Sequence, residues 1–269
     1  MLKVNKLSIE ADYKEGKAKI VRDISFEVNK GEWLGIVGES GCGKTMMAMS
    51  ILGLLPENCK ASGDIYIEEK NLLSMTKSES KDLRGKEIVL IPQSGSDFLN
   101  PVFKIKTQIY ESIKRAGVYK KNEYKAVACK LLRKVGFSNP EEVMEQYPFQ
   151  LSGGMAQRVI LAIGLLASPK VVIADEPTRG IDDETSELFL KELESVFPDS
   201  AVIVITHNIS VASICHKLLV MKDGKAMEYG ECKKIINNPE NSYTKALLGA
   251  LPINGLNVEK YMEDEVSIC

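Results

Sequence analysis

A chain of 269 residues, 44% hydrophobic and 27% charged, can bury a sizeable core and has the composition of an ordinary globular protein. Its formal net charge of −2 gives no basic footprint, which argues against nucleic acid as a partner. No apolar run approaches the roughly 20 residues that cross a bilayer, and the N-terminus lacks the pattern of a secretory leader.

Leu2-Lys3-Val4-Asn5-Lys6-Leu7-Ser8-Ile9-Glu10 alternates apolar and polar residues, which predicts a half-buried strand. Ile24–Val28 alternates in the same way, and 29–32 turns the chain into the apolar run Trp33–Val37. An antiparallel β start is expected. Gly38-Glu39-Ser40-Gly41-Cys42-Gly43-Lys44-Thr45 then fits the pattern G-x-x-x-x-G-K-[ST], and Met46–Leu52 reads as a helix. Strand, loop and helix in that order is the context a phosphate-binding loop requires. Glycines let successive backbone N–H groups turn toward one anion, and the helix start adds the positive end of its dipole. Lys44 can reach β- and γ-phosphates, and the Thr45 hydroxyl can ligate the Mg²⁺ that bridges them. This stretch implies a bound nucleoside triphosphate. The six cysteines are scattered without a C-x-x-C pair, so reduced thiols are expected. Cys42, at a helix start beside Lys44, is expected to be the most reactive of them.

Asp64–Ile67 follows Ser62-Gly63 as a strand, and Ile88–Ile91 is an apolar strand that Pro92 ends just before Gln93. From 93 to 160 the texture becomes helical, with helices expected at Thr107–Ala116, Glu123–Val135 and Glu141–Tyr147. Strands resume at Val171–Ala174, Ala201–Ile205 and Lys217–Met221, with a helix over Glu184–Phe197 between the first two. Such a βαβ rhythm predicts a parallel sheet covered on both faces. The fold class expected is α/β: a phosphate-loop ATPase core with a mainly parallel sheet, an antiparallel N-terminal part and an inserted helical lobe.

Val171–Ala174 delivers Asp175 and Glu176 to the carboxyl edge of that sheet, where such folds bind ligands. Asp175 is placed to hold Mg²⁺ and Glu176 to polarise an attacking water. His207, also at a strand end, stands where a γ-phosphate sensor belongs. His216, beside Cys215, lacks metal-pair spacing and is read as structural or surface. Ser152-Gly153-Gly154 ahead of a helix is either a second anion-binding N-terminus or an ordinary cap.

Taken together and in this order, these stretches resemble the ATP-binding subunit of ABC transporters. Leu151–Gln157 is similar to the family's signature motif, Gln93 to its Q-loop, His207 to its switch histidine, and 178–182 to its D-loop. Leu99-Asn100-Pro101 and the stretch Pro239, Ser242–Pro252 resemble the peptide and nickel importers within the family. Absence of a cysteine-rich C-terminal region leans toward members that carry nickel, cobalt or metallophores. Ala156 and Arg179-Gly180 depart from the common pattern. The 242–251 stretch also reads as a helix that merely packs on the domain.

The resemblance implies one nucleotide-binding domain over 1–269: an ATPase core at 1–92 and 161–235, a helical lobe at 93–160, and a C-terminal extension from 236. It implies ATP and Mg²⁺, with Gln93 joining Thr45 and Asp175 at the metal and Tyr13 stacking on adenine. Two ATPase subunits would pair head to tail, so that Ser152, Gly153 and Gly154 of one meet the γ-phosphate held by the other. Two membrane permeases and an extracytoplasmic solute-binding protein would complete the assembly at the cytoplasmic face of the membrane. The function expected is ATP hydrolysis that drives import of peptides or of nickel- or cobalt-type metal. An ABC-type ATPase of nucleic-acid repair or translation is the alternative, disfavoured by charge.

Overall fold

The computed structural model describes residues 1–14, 16–92, 98–179 and 183–249. The chain begins with β1 (Leu2–Tyr13), β2 (Gly16–Val28), β3 (Trp33–Gly38), α1 (Lys44–Ile51), β4 (Cys59–Ile67) and β5 (Lys70–Asn71). It continues through α2 (Lys77–Leu83), β6 (Ile88–Ile91), α3 (Ile105–Ala116), α4 (Tyr124–Lys134), α5 (Pro140–Glu145), α6 (Gly153–Gly164), β7 (Val171–Asp175) and α7 (Asp183–Val196). The last elements are β8 (Ala201–Thr206), α8 (Ile209–Ala212), β9 (Lys217–Lys222), β10 (Lys225–Glu231), α9 (Cys232–Asn237) and α10 (Ser242–Gly249). Two compact units result, one from Met1–Met75 with the chain beyond Val202, the other from Thr76–Ala201.

The first unit holds an antiparallel sheet in the order β2-β1-β4-β5. Leu2, Val4, Leu7, Ile9 and Ala11 of β1 are all buried, as their alternation with polar neighbours requires. β2 begins well before the Ile24–Val28 segment that the apolar pattern predicts. Its first residues are exposed and carry ion pairs to β1, Lys17 with Asp12 and Lys19 with Glu10. Exposed pairs of this kind leave no hydrophobic periodicity to read.

A second sheet in this unit runs β10-β9-β3-β8, with β9, β3 and β8 parallel and β10 antiparallel. All six residues of β3 are buried, which explains its unbroken apolar run. β10, by contrast, is polar and half exposed, so its sequence gives no strand signal. Asp223-Gly224 makes the β9–β10 turn, both residues at positive φ. Val37, Ile209, Ala212, Leu218, Val220, Cys232 and Ile235 form one core cluster, and Tyr243, Leu247 and Leu248 of α10 pack against it. His216 ties this region together, its Nδ1 accepting from the Trp33 N–H at 3.0 Å, as a structural histidine should.

The second unit contains the parallel pair β6–β7, in register from Ile88↔Val171 to Ile91↔Ala174. Helices α3 to α6 form the helical lobe. Ile105, Ile109 and Ile113 lie four residues apart on α3 and are buried. α6 approaches β6 and the end of α7 closely at Gly164, where a Cβ would stand 3.2 Å from both Val89 and Phe197 side chains. Parallel strands, an antiparallel start and a helical lobe are the architecture expected from the sequence.

Candidate active site

The phosphate loop leaves β3 between two parallel neighbours. Val37 is paired with Thr206 on one side and with Val220 on the other. Gly38 and His207 are therefore the next residues along adjacent strands, and the sheet brings them to one edge. His207 is exposed there, between Thr206, whose Oγ1 accepts from the Asn208 N–H at 3.0 Å, and the Asn208 cap of α8.

Gly38 has room for no side chain, because a Cβ would run into the Met221 carbonyl. Gly43 caps α1 in the left-handed region at φ 103, with the Ile20 carbonyl oxygen 2.8 Å from where a Cβ would sit. The Gly224 N–H donates to the Cys42 carbonyl at 3.2 Å. Three separate segments, β2, the end of β9 and the β9–β10 turn, thus hold the loop in shape. At Gly41 the same test finds open space, and Glu39, Ser40, Gly41 and Thr45 are exposed.

Lys44 is only 7% exposed. Its Nζ donates to the carbonyls of Gly38 at 2.7 Å and Glu39 at 2.9 Å. An ammonium folded back onto its own loop's carbonyls is a cation ready to exchange those partners for phosphate oxygens. Cys42 departs from expectation. It is 6% exposed, with Sγ 3.8 Å from the Lys44 Nζ, so in this loop shape the thiol is largely covered. Among the described cysteines Cys59 alone is not buried. Burial also pushes the Cys232 thiol up to about 12 and the Cys215 thiol well above its ordinary range. Tyr13 ends β1 at the tip of the β1–β2 hairpin, 57% exposed.

The second unit carries the other candidates. Ser152 caps α6, its Oγ accepting from the Met155 N–H at 3.2 Å. Gly153 and Gly154 open the helix with nothing within 4 Å of a built Cβ. Asp175 and Glu176 are half-buried at the end of β7. Glu176 takes φ 49, a left-handed conformation that a side-chain-bearing residue rarely adopts, and its carbonyl accepts from the Arg179 N–H at 3.1 Å. The sequence reading missed Gln157 as the link between these groups. It is buried, and its Nε2 donates to the Pro177 carbonyl at 2.7 Å, tying α6 to the turn after Glu176. An amide on a buried helix face was the available signal. Gln93 and the 180–182 part of the D-loop stretch lie outside the described residues.

Thr45 offers a hydroxyl and Asp175 a carboxylate, hard oxygen donors that suit Mg²⁺. A family model described as ABC transporter matches residues 21–179. Over 234 residues the chain is 36% identical to the metal-staphylopine import system ATP-binding protein CntD of Staphylococcus aureus, across 85% of this chain and 86% of that protein. The chain belongs to the ABC transporter family. It is also 38% identical over 264 residues to the dipeptide transport ATP-binding protein DppD of Bacillus subtilis, across 96% of this chain and 78% of that one. Among solved structures, the ATP-binding cassette MJ0796 in a dimeric post-hydrolysis state with ADP and Pi matches with a TM-score of 0.75 at 25% identity. That match covers 86% of this chain and 99% of MJ0796. As an ABC ATPase the chain binds ATP with Mg²⁺ and hydrolyses it to ADP and phosphate. None of its described helices is long and apolar enough to cross a membrane.

Proposed function

We propose that this ABC ATPase powers an importer of peptides or of nickel, cobalt or metal chelates. The observation that carries the reading is similarity of comparable strength, over most of the chain, to ATP-binding subunits named for a metallophore and for a dipeptide. The subunit sits peripherally on the cytoplasmic face of the membrane, against two permeases that receive solute from an extracytoplasmic binding protein.

Each ATP is sandwiched between two cassettes paired head to tail, the second being another copy or a paralogue. The 38–45 loop and Lys44 grip the β- and γ-phosphates of one ATP, with adenine against Tyr13. Ser152, Gly153 and Gly154 of the opposite cassette meet the γ-phosphate. Thr45, Asp175 and Gln93 would hold the Mg²⁺, which would supply neutralisation of phosphate charge. Glu176 orients the attacking water and His207 contacts the γ-phosphate, so ADP leaves as the water oxygen bonds to phosphorus. Catalysis here is positioning and electrostatics, without a covalent intermediate. The lobe over 93–160 passes closure of the pair to the permeases.

Uptake decides the matter. A strain lacking the gene should lose accumulation of either labelled dipeptide or labelled nickel or cobalt chelate. The wild-type gene should restore it and Glu176→Gln should not. Normal uptake of both solutes in the deletion strain would overturn the importer reading.

A further inference from the structure

Helix α10, the last described element, does more than pack on the domain. From the core cluster beneath it, Tyr243 extends its hydroxyl to donate to the Glu39 carboxylate, Oε1, at 3.2 Å. Glu39 is the one acidic residue in the loop from Gly38 to Thr45, and its carbonyl already accepts from Lys44. A carboxylate free to swing over this loop would compete with phosphate for the same N–H groups and the same ammonium.

The tyrosine is held as if its position matters. Lys222, the last residue of β9, places its Nζ over the Tyr243 ring, 4.6 Å from the centroid. The start of α10 is fastened by Glu228, whose carboxylate accepts from the Glu240 N–H at 2.9 Å and the Asn241 N–H at 3.2 Å. Asn241 Oδ1 in turn accepts from the Tyr243 N–H at 2.8 Å. Burial, the nearby Glu39 charge and the hydrogen bond to it hold the phenol above its ordinary range.

We propose that Tyr243 is a positioning residue of the nucleotide site, holding the Glu39 carboxylate off the anion cradle and thereby setting affinity for ATP. Helix α10 is then part of the ATP-binding apparatus. The inference rests on the phosphate-loop reading above.

Binding of Mg²⁺ with a fluorescent methylanthraniloyl ATP, measured on the full chain, tests it. Tyr243→Phe keeps the ring and its packing and loses only the donor. It should weaken binding roughly three- to tenfold, the range expected for one typical net hydrogen bond, more at low salt than at high. Turnover at saturating ATP should stay within about twofold, since an effect on binding alone raises KM and spares kcat. Combining Tyr243→Phe with Glu39→Gln should restore affinity to that of Glu39→Gln alone. Unchanged affinity in Tyr243→Phe would overturn the proposal. So would an equal loss in the Glu39→Gln background, which would make the hydroxyl merely structural. Lys44→Ala should abolish binding in every background; if it binds normally, the phosphate-loop reading fails instead.

Discussion

The two ends of this ATPase chemistry are built on opposite principles. At the phosphate loop two of the three glycines answer to packing within their own chain: Met221 stands where a Gly38 side chain would be, and Ile20 where one at Gly43 would be. At the start of α6, Gly153 and Gly154 have open space around them, whereas Gly164 of the same helix is pressed between Val89 and Phe197. Two glycines with no internal reason weaken a helix, since each gives up about 0.5–1 kcal/mol relative to alanine. The difference is that the loop is shaped from within, while nothing inside the described residues demands glycine at the α6 start; under the head-to-tail pairing proposed above, the demand would come from the opposite cassette.

Breaking the first half of the comparison should have the largest effect. Gly38→Ala forces a Cβ into the Met221 carbonyl at a φ of 154. It should lose nucleotide binding altogether and cost about 3 kcal/mol or more of stability. Gly41→Ala, strained only by its φ of 81, should cost much less. Chemical denaturation of the two variants beside wild type measures both. Equal losses would mean that backbone conformation, not the Met221 contact, dictates Gly38.

Glu176→Gln comes next, and it separates holding ATP from consuming it. ATP affinity should persist while steady-state ATPase falls at least 100-fold, about 2.7 kcal/mol of barrier. Activity within about threefold of wild type would remove Glu176 from its role, because that is only ~0.6 kcal/mol.

The second half of the comparison is sharpened by Gly154→Ala, whose two effects run in opposite directions. Stability should rise by up to about 1 kcal/mol, because alanine is the better helix former and meets nothing. ATPase should nonetheless fall about tenfold, or ~1.4 kcal/mol, as the methyl group stands off the γ-phosphate of the opposing cassette. A loss of stability in thermal melts would reveal an internal demand at this glycine and erase the contrast.

What the sequence made legible follows the same division. β3, β6, β7 and β8 announced themselves because strands buried on both faces must be apolar, and the phosphate loop because only glycines tolerate its close contacts. The exposed half of β2 and the polar β10 were not legible, since their hydrogen bonds leave no trace in hydropathy. The burial of Cys42 was not legible for a related reason. Its neighbour Lys44 and its place before a helix are visible in sequence, but its burial depends on the fold around the loop. Tyr243 and Gln157 act across 204 and 20 residues of chain, through single hydrogen bonds that no local pattern encodes.

The smallest effect concerns how each region is fastened. Around the phosphate loop the ties are backbone hydrogen bonds and the Lys44 and Tyr243 donors, whereas the helical lobe carries a surface bridge in which Glu145 receives Lys104 at 2.8 Å and Lys106 at 2.6 Å. Hydrogen bonds from these two lysines hold the Glu145 carboxyl down at about 2. A carboxyl depressed in the folded state stabilises above its unfolded value near 4.5, and that stabilisation is lost as pH falls toward 2. Because all three side chains are at least one-third exposed, Glu145→Gln should lower Tm by about 1 °C or less at pH 7 in low salt, and high salt should erase the difference. Melts of the pair across pH should show a constant gap from 7 to about 5 that closes only in more acid solution. A gap that widens on acidification, or ignores salt, would mean that Glu145 acts through packing and not through its lysines.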